Sequence, residues 1–269
     1  MNVPTISIVC MAAEALMFII IPFIIFAVLK KRFKTSVAPF FFGFIIFPVF
    51  AIVLEGIMHT FVLQSEIGTK IQGNGWLYAL YGGLAAGVFE ETGRFLCFKT
   101  LMRKSTDRRD GIMYGAGHAG IEAIYLGIGA VGMNIVFSIM MNMGQTDAIL
   151  ATATDEASLA VAKQTLEGLA TQQPWLYFLG VWERLSAIGL HIALSVLVYA
   201  AARRKKFILY PVAILIHALA DGVLVVLSKV YELNFVTIEV VCSVMSLLIA
   251  LCAAKVYRSM KTENITEKI

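Results

Sequence analysis

Charge is scarce in this chain of 269 residues. Asp, Glu, Lys and Arg make up 15% of it, against about 25% in soluble domains, while hydrophobic residues make up 59% and mean hydropathy is +0.81. So little charge excludes a fold covered by water and predicts an integral membrane protein. Cysteine is sparse as well. The four cysteines lie in apolar runs and none has a CxxC partner, which argues against both a disulfide framework and a thiolate zinc site. No basic segment precedes the first apolar run, and that run is long, so no cleavable signal peptide is expected. An internal repeat, the mark of a transporter built from two related halves, is missing too. The net charge of +4 comes from short basic loops, which speak of membrane topology and not of nucleic acid.

What the sequence does contain is a series of apolar runs far too long for barrel strands. The predicted fold is all-α, a polytopic membrane helix bundle forming a single transmembrane domain over residues 1–269. Seven spans are expected, at about residues 6–29, 37–63, 76–102, 111–143, 174–202, 207–227 and 235–254. Pro48 predicts a kink in the second. The fourth exceeds the roughly 20 residues a crossing needs, so a break, tilt or re-entrance is expected, and Gly127, Gly129 and Gly132 mark its place. Residues 145–173 form the long polar connection, alanine-rich and mildly acidic, and read as an extracytoplasmic amphipathic or surface helix. The tail from Lys255 reads as polar and loose. Basic clusters follow spans one, three, five and seven, at residues 30–34, 103–109, 203–206 and 255–261, while the alternate loops carry few basic residues. The positive-inside rule then puts the N-terminus outside and the C-terminus in the cytoplasm. The expected location is the bacterial cytoplasmic membrane.

Against this background the stretch Phe89-Glu90-Glu91-Thr92-Gly93-Arg94 stands out, with three ionisable residues inside an apolar span. A charge near the centre of a bilayer costs on the order of 3 kcal/mol or more, and adjacent carboxylates repel one another besides. Glu90 and Arg94 stack at i and i+4 on a helix, whereas Glu91 points about 100° away and needs another partner. Candidates are the isolated polar residues of other spans: His118 and Glu122, His191, and His217 and Asp221. Counted from the basic ends, Glu90, His118, His191 and His217 all fall roughly 12–19 Å from the cytoplasmic boundary at 1.5 Å per residue. Scattered structural residues would have no reason to agree in depth, so these groups are expected to meet in one buried, hydrated pocket. The i,i+4 spacings of His118/Glu122 and His217/Asp221 offer each histidine a carboxylate on its own face. His191 is the weakest member by this reasoning, lacking an acid four residues on. Three other polar features read as structural: the Glu183-Arg184 pair, the Glu55/His59 pair nearer the outer face, and Glu14 as an interfacial residue.

Two chemistries suit such a pocket. A carboxylate can act as general base on a water while histidines hold that water and stabilise the oxyanion formed at a peptide carbonyl. Alternatively His118, His191 and His217 bind Zn²⁺ with an open position for water. Small residues flanking the motifs (Gly82, Gly83, Ala85, Ala86, Gly87, Gly115, Gly117, Gly120) allow close helix packing or leave room for the pocket.

The set Glu90-Glu91-x-x-Arg94, His118-x-x-x-Glu122, His191 and His217-x-x-x-Asp221 resembles the YhfC family of bacterial intramembrane proteases over nearly the whole chain. In its motifs alone it is similar to the CAAX-processing type II proteases, their bacteriocin-processing relatives and PrsW. The resemblance implies an intramembrane endopeptidase acting on membrane proteins or peptides. By it, Glu90 is the water-activating base, supported by Glu91 and Arg94, His118 orients the water, and His217 with Asp221 forms the oxyanion or water site. The arginine follows the glutamate pair after two residues where the CAAX group has three, so the resemblance leaves open which glutamate it pairs. Both a glutamic-type and a metal-dependent mechanism fit such a family. Two other functions compete: a non-catalytic scaffold or bacteriocin-immunity protein that keeps the protease fold, and a proton- or metal-coupled transporter.

Overall fold

The computed structural model describes residues 2–34 and 36–260, and among them every regular element is helical. The first is α1 (Thr5–Phe33), ending on Lys30, Lys31 and Arg32. The second run is one helical stretch in three parts, α2 (Ala38–Phe47), a π-helical segment Pro48–Leu54 and α3 (Glu55–Leu63). Pro48 opens the π segment, because its missing N–H and its ring deny the preceding turn a regular hydrogen bond. The short α4 (Glu66–Gln72) precedes α5 (Gly75–Lys99), whose first amides are capped by the Asn74 side chain. The long fourth run is α6 (Arg109–Leu126), a π-helical segment Gly127–Val131 and α7 (Gly132–Asn142). The break predicted at the glycines is thus a π-bulge, and helical hydrogen bonding continues through it.

The polar connection holds α8 (Thr146–Leu150) and α9 (Glu156–Thr171), the latter started by a capping box between Asp155 and Ser158. It is more than a surface helix, since Ile149, Leu166 and Leu169 are buried. After a 3₁₀ turn at Pro174–Leu176 come α10 (Tyr177–Arg203), α11 (Leu209–Lys229) and α12 (Phe235–Ser259). The helix α12 corrects the expected loose tail, because residues 255–259 continue its last turns. Residues 261–269, including Lys261 of the last basic cluster, lie outside the described residues.

Among the described residues, six helical runs are long and apolar enough to cross a membrane: Thr5–Phe33, Ala38–Leu63, Arg109–Asn142, Pro174–Arg203, Leu209–Lys229 and Phe235–Ser259. The protein is a polytopic helical bundle and a multi-pass membrane protein. The remaining long helix, α5, has 25 residues and carries Glu90, Glu91 and Arg94 in its second half.

The chain forms two compact units, Met1–Ile21 with Ala123–Arg184, and Pro22–Glu122 with Leu185–Ile269. In the first, Met11, Phe18, Met141, Leu166 and Tyr177 form an apolar core. Glu14 is buried there. Its carboxylate lies against the backbone of Gly180, where a Cβ would meet it at 2.0 Å. Glu183 and Arg184 form the expected ion pair with each other.

The second unit has a core of Phe98, Tyr114, Leu194, Val198 and Tyr199. Its most enclosed helix is α10, which is buried on every side from Val196 to Ala202. At one end of this unit, basic side chains donate to carbonyls at helix ends and in the connection after α5. Arg108 donates to the carbonyls of Tyr257 and Met260 (2.9 and 2.8 Å), Arg109 to that of Phe33 (2.9 Å), and Arg203 to that of Ser105 (3.1 and 3.0 Å). The C-terminal ends of α1, α10 and α12 and the connection after α5 therefore meet at one end.

Candidate active site

Every candidate site residue belongs to the second unit. Helix α5 supplies Glu90, Glu91 and Arg94, α6 supplies His118 and Glu122, α10 supplies His191, and α11 supplies His217 and Asp221. Missing side chains let these helices approach. On α5, a Cβ at Gly83 would lie 2.3 Å from the Ala218 carbonyl oxygen of α11, and one at Gly87 would lie 2.6 Å from that of Ile214. Between α6 and α10, a Cβ at Gly115 would meet Ile192 Cα at 2.7 Å. Gly82 faces open space and plays no part in the contact.

The approach brings the polar groups within bonding distance. Glu90, Glu91, Arg94, His118, His191 and His217 are all buried, with Glu91, Arg94 and His118 at 0% exposure. Arg94 spans both glutamates, with Nη2 3.3 Å from Glu90 Oε2 and Nη1 3.0 Å from Glu91 Oε1. The shortened spacing to the arginine is resolved by one guanidinium serving both acids. Glu90 Oε2 lies 2.8 Å from His118 Nε2 and 3.8 Å from His191 Nδ1, while Glu90 Oε1 faces His217 Nε2 at 3.9 Å. His217 Nδ1 donates to Glu91 Oε1 at 2.7 Å, and Asp221 Oδ2 stands 3.4 Å from His217 Nε2.

Two expectations change in detail. Glu122 was assigned to His118, its neighbour one turn away, but it sits 2.7 Å from His191 Nε2. His118 leaves Nδ1 without a hydrogen-bond partner and turns Nε2 towards Glu90 and Arg94. The acid that His191 lacked on its own helix therefore comes from α6, and His191 is central to the cluster. Sequence spacing along one helix could not reveal a partner on another.

The side chains that could hold a metal ion are Glu90, His118 and His191, whose ligand atoms all lie within 4.8 Å of one another. His217, the third histidine expected in a metal set, instead gives its Nδ1 to Glu91. One carboxylate oxygen and two imidazole nitrogens form a donor set suited to zinc. Glu122 behind His191 is the kind of second partner that fixes a metal-binding imidazole. The point on which these three atoms converge is now approached by Arg94 Nη2, which donates to His191 Nδ1 at 2.6 Å and to His118 Nε2 at 2.7 Å. The donor set fits a metal provided that the guanidinium withdraws.

Nearby, Glu55 is buried and accepts from His59 Nε2 at 3.1 Å, and His59 Nδ1 meets the Tyr81 hydroxyl at 2.7 Å. This contact adds Tyr81 to the pair read from sequence.

The protein is thus a multi-pass helical membrane protein that buries two glutamates, an arginine and three histidines from four helices at one place. The comparisons with known proteins give the particular family. The model of the family described as YhfC intramembrane metalloprotease matches residues 17–245, and the chain belongs to that family. The chain is also 36% identical over 219 residues to the uncharacterized membrane protein YhfC of Bacillus subtilis (strain 168), covering 79% of this chain and 82% of that one. No solved structure gives a significant match.

Proposed function

We propose that this protein is an intramembrane metallopeptidase of the bacterial cytoplasmic membrane that hydrolyses peptide bonds in membrane proteins or peptides. The observation that carries the reading is the convergence of Glu90, His118 and His191 from three helices on one buried point, in a chain of this family. Those three residues would hold Zn²⁺. When bound, the metal supplies Lewis acidity towards a peptide carbonyl and a strong water nucleophile at neutral pH.

The chain's own groups do the rest. Glu90 keeps Oε2 on the histidine side and presents Oε1 towards His217, across a 3.9 Å gap too long for a direct hydrogen bond. In this reading the water and the scissile carbonyl engage these two atoms. Glu90 Oε1 takes the proton of the attacking water and returns it to the amide nitrogen as the C–N bond breaks, while His217 Nε2 donates to the oxyanion that forms in between. Glu91 holds His217 through Nδ1, and Asp221 supports it from one turn along α11. Glu122 fixes the plane of His191, and Arg94, 3.0 Å from Glu91, neutralises that carboxylate.

In this reading α5 crosses the membrane as well, giving seven crossings in one transmembrane domain over residues 1–269. The N-terminus lies outside and the arginine-clamped helix ends face the cytoplasm. The test is cleavage of apolar membrane peptides by purified protein in proteoliposomes, before and after chelation and after zinc is returned. Activity that falls on chelation and recovers with one equivalent of zinc supports the proposal. Cleavage indifferent to chelation in a metal-free preparation contradicts the metal part. Unaltered cleavage by Glu90→Gln contradicts the site itself.

A further inference from the structure

We propose that Arg94 is a built-in competitor for the metal, so that the guanidinium and the metal ion alternate at the point shared by Glu90, His118 and His191. This rests on the metallopeptidase reading of the site. Its basis is the position of one atom. Arg94 Nη2 lies 2.6 Å from His191 Nδ1, 2.7 Å from His118 Nε2 and 3.3 Å from Glu90 Oε2. The same three residues are those whose ligand atoms gather closely enough for a metal. Zinc takes such nitrogens at about 2.0–2.1 Å, so it cannot share that space with a nitrogen already in hydrogen-bond contact with them. Two cations a few ångströms apart in a buried site also repel strongly.

The surroundings give the displaced guanidinium somewhere to go. Arg94 Nη1 already stands 3.0 Å from Glu91 Oε1, and Glu91 Oε2 is buried with no hydrogen-bond partner. Arg94 Nε likewise has no hydrogen-bond partner. A small rotation of the Arg94 side chain towards Glu91 would exchange the two histidine contacts for a two-point ion pair with Glu91. Charge points the same way. The cluster holds four carboxylates, Glu90, Glu91, Glu122 and Asp221, against the single guanidinium. That excess of carboxylates over guanidinium can balance a second cation. With Arg94 on the histidines, the ligand set is held together and capped. With Arg94 on Glu91, it is open to a metal.

The experiment is zinc titration of the full-length protein in detergent micelles, against a chromophoric chelator, for wild type, Arg94→Gln and Glu90→Gln. Arg94→Gln should bind Zn²⁺ at least tenfold more tightly than wild type, and Glu90→Gln should lose most of the binding. Equal affinity in wild type and Arg94→Gln overturns the competition and leaves the metal site standing. Zinc binding by none of the three overturns both the competition and the metallopeptidase reading. A second measurement needs no variant. In wild-type protein labelled with ¹⁵N in its arginine side chains, one equivalent of Zn²⁺ should shift a buried guanidinium resonance. Zinc binding that leaves every arginine resonance unmoved overturns the proposal.

Discussion

Adjacent glycines on α5 offer a controlled test of how the site is assembled. A Cβ on Gly83 would lie 2.3 Å from the Ala218 carbonyl oxygen and 3.1 Å from the Gly222 nitrogen, both backbone atoms of α11, whereas a Cβ on Gly82 meets nothing within 4 Å. Gly83→Ala must therefore push α5 and α11 apart by roughly 1 Å or bend one of them, and overpacking of this kind costs about 1–3 kcal/mol. Gly82→Ala carries no such penalty and gains up to about 1 kcal/mol in helix propensity. For a chain of this size, 1 kcal/mol corresponds to a shift of about 2–4 °C in the midpoint of thermal unfolding. Gly83→Ala should thus melt several degrees below Gly82→Ala in the same detergent. It should lose peptidase activity too, because the 2.7 Å contact between His217 and Glu91 bridges these two helices. It lies only about 12 Å further along α5, at 1.5 Å per residue, and hydrogen bonding fades beyond about 3.5 Å. The assay is thermal unfolding followed by size-exclusion fluorescence, alongside cleavage of a membrane peptide. Equal melting temperatures and equal activities for the two alanine variants would refute the close α5–α11 crossing on which the site depends.

Glu122→Ala removes the carboxylate behind His191 and should lower zinc affinity or peptidase activity about 10–100-fold, measured by the same chelator competition, with global stability little changed. Asp107 offers a test of pH dependence outside the spans. It accepts from Arg109 Nε at 2.9 and 2.7 Å and from the Arg109 backbone at 2.9 Å. Burial alone would raise the Asp107 carboxyl, but the hydrogen bonds and charge of Arg109 outweigh it and hold the group below the usual carboxylate range. A carboxylate depressed in this way stabilises the fold above its unfolded titration point, and the gain is lost as pH falls through its folded one. Wild type should melt slightly above Asp107→Asn at pH 7, by less than about 1 kcal/mol because the pair is partly exposed. The two should converge in strong acid, and a gap that widens there contradicts the assignment.

Much of this arrangement can be read from the chain itself, and the reasons are local. Long apolar runs allow no alternative to membrane helices, and each break announces itself, at Pro48 and at the glycines near Gly127. The convergence of the site is legible because isolated ionisable residues stand at matching distances from the basic ends of their apolar runs. What spacing could not supply was pairing between helices. Glu122 is one turn from His118 but reaches His191, and His191 gains its acid from a helix that its own sequence neighbourhood does not mention. The place of Arg94 depends in the same way on rotation, and only packing brings Nη2 onto both histidines. The enclosure of the Glu14 carboxylate beside Gly180 is likewise a matter of packing between helices, which spacing along one helix does not reveal.

In the proposed function, Glu90 and the histidines around it add water to a peptide bond within the membrane. The direct measurement is incubation of zinc-loaded protein in proteoliposomes with apolar transmembrane peptides in H₂¹⁸O, followed by mass spectrometry of the fragments. The account predicts fragments whose new C-terminal carboxyl carries one ¹⁸O from wild type, and none from Glu90→Gln. Labelled fragments from Glu90→Gln at the wild-type rate, or intact peptides after incubation with the wild-type protein, would contradict it.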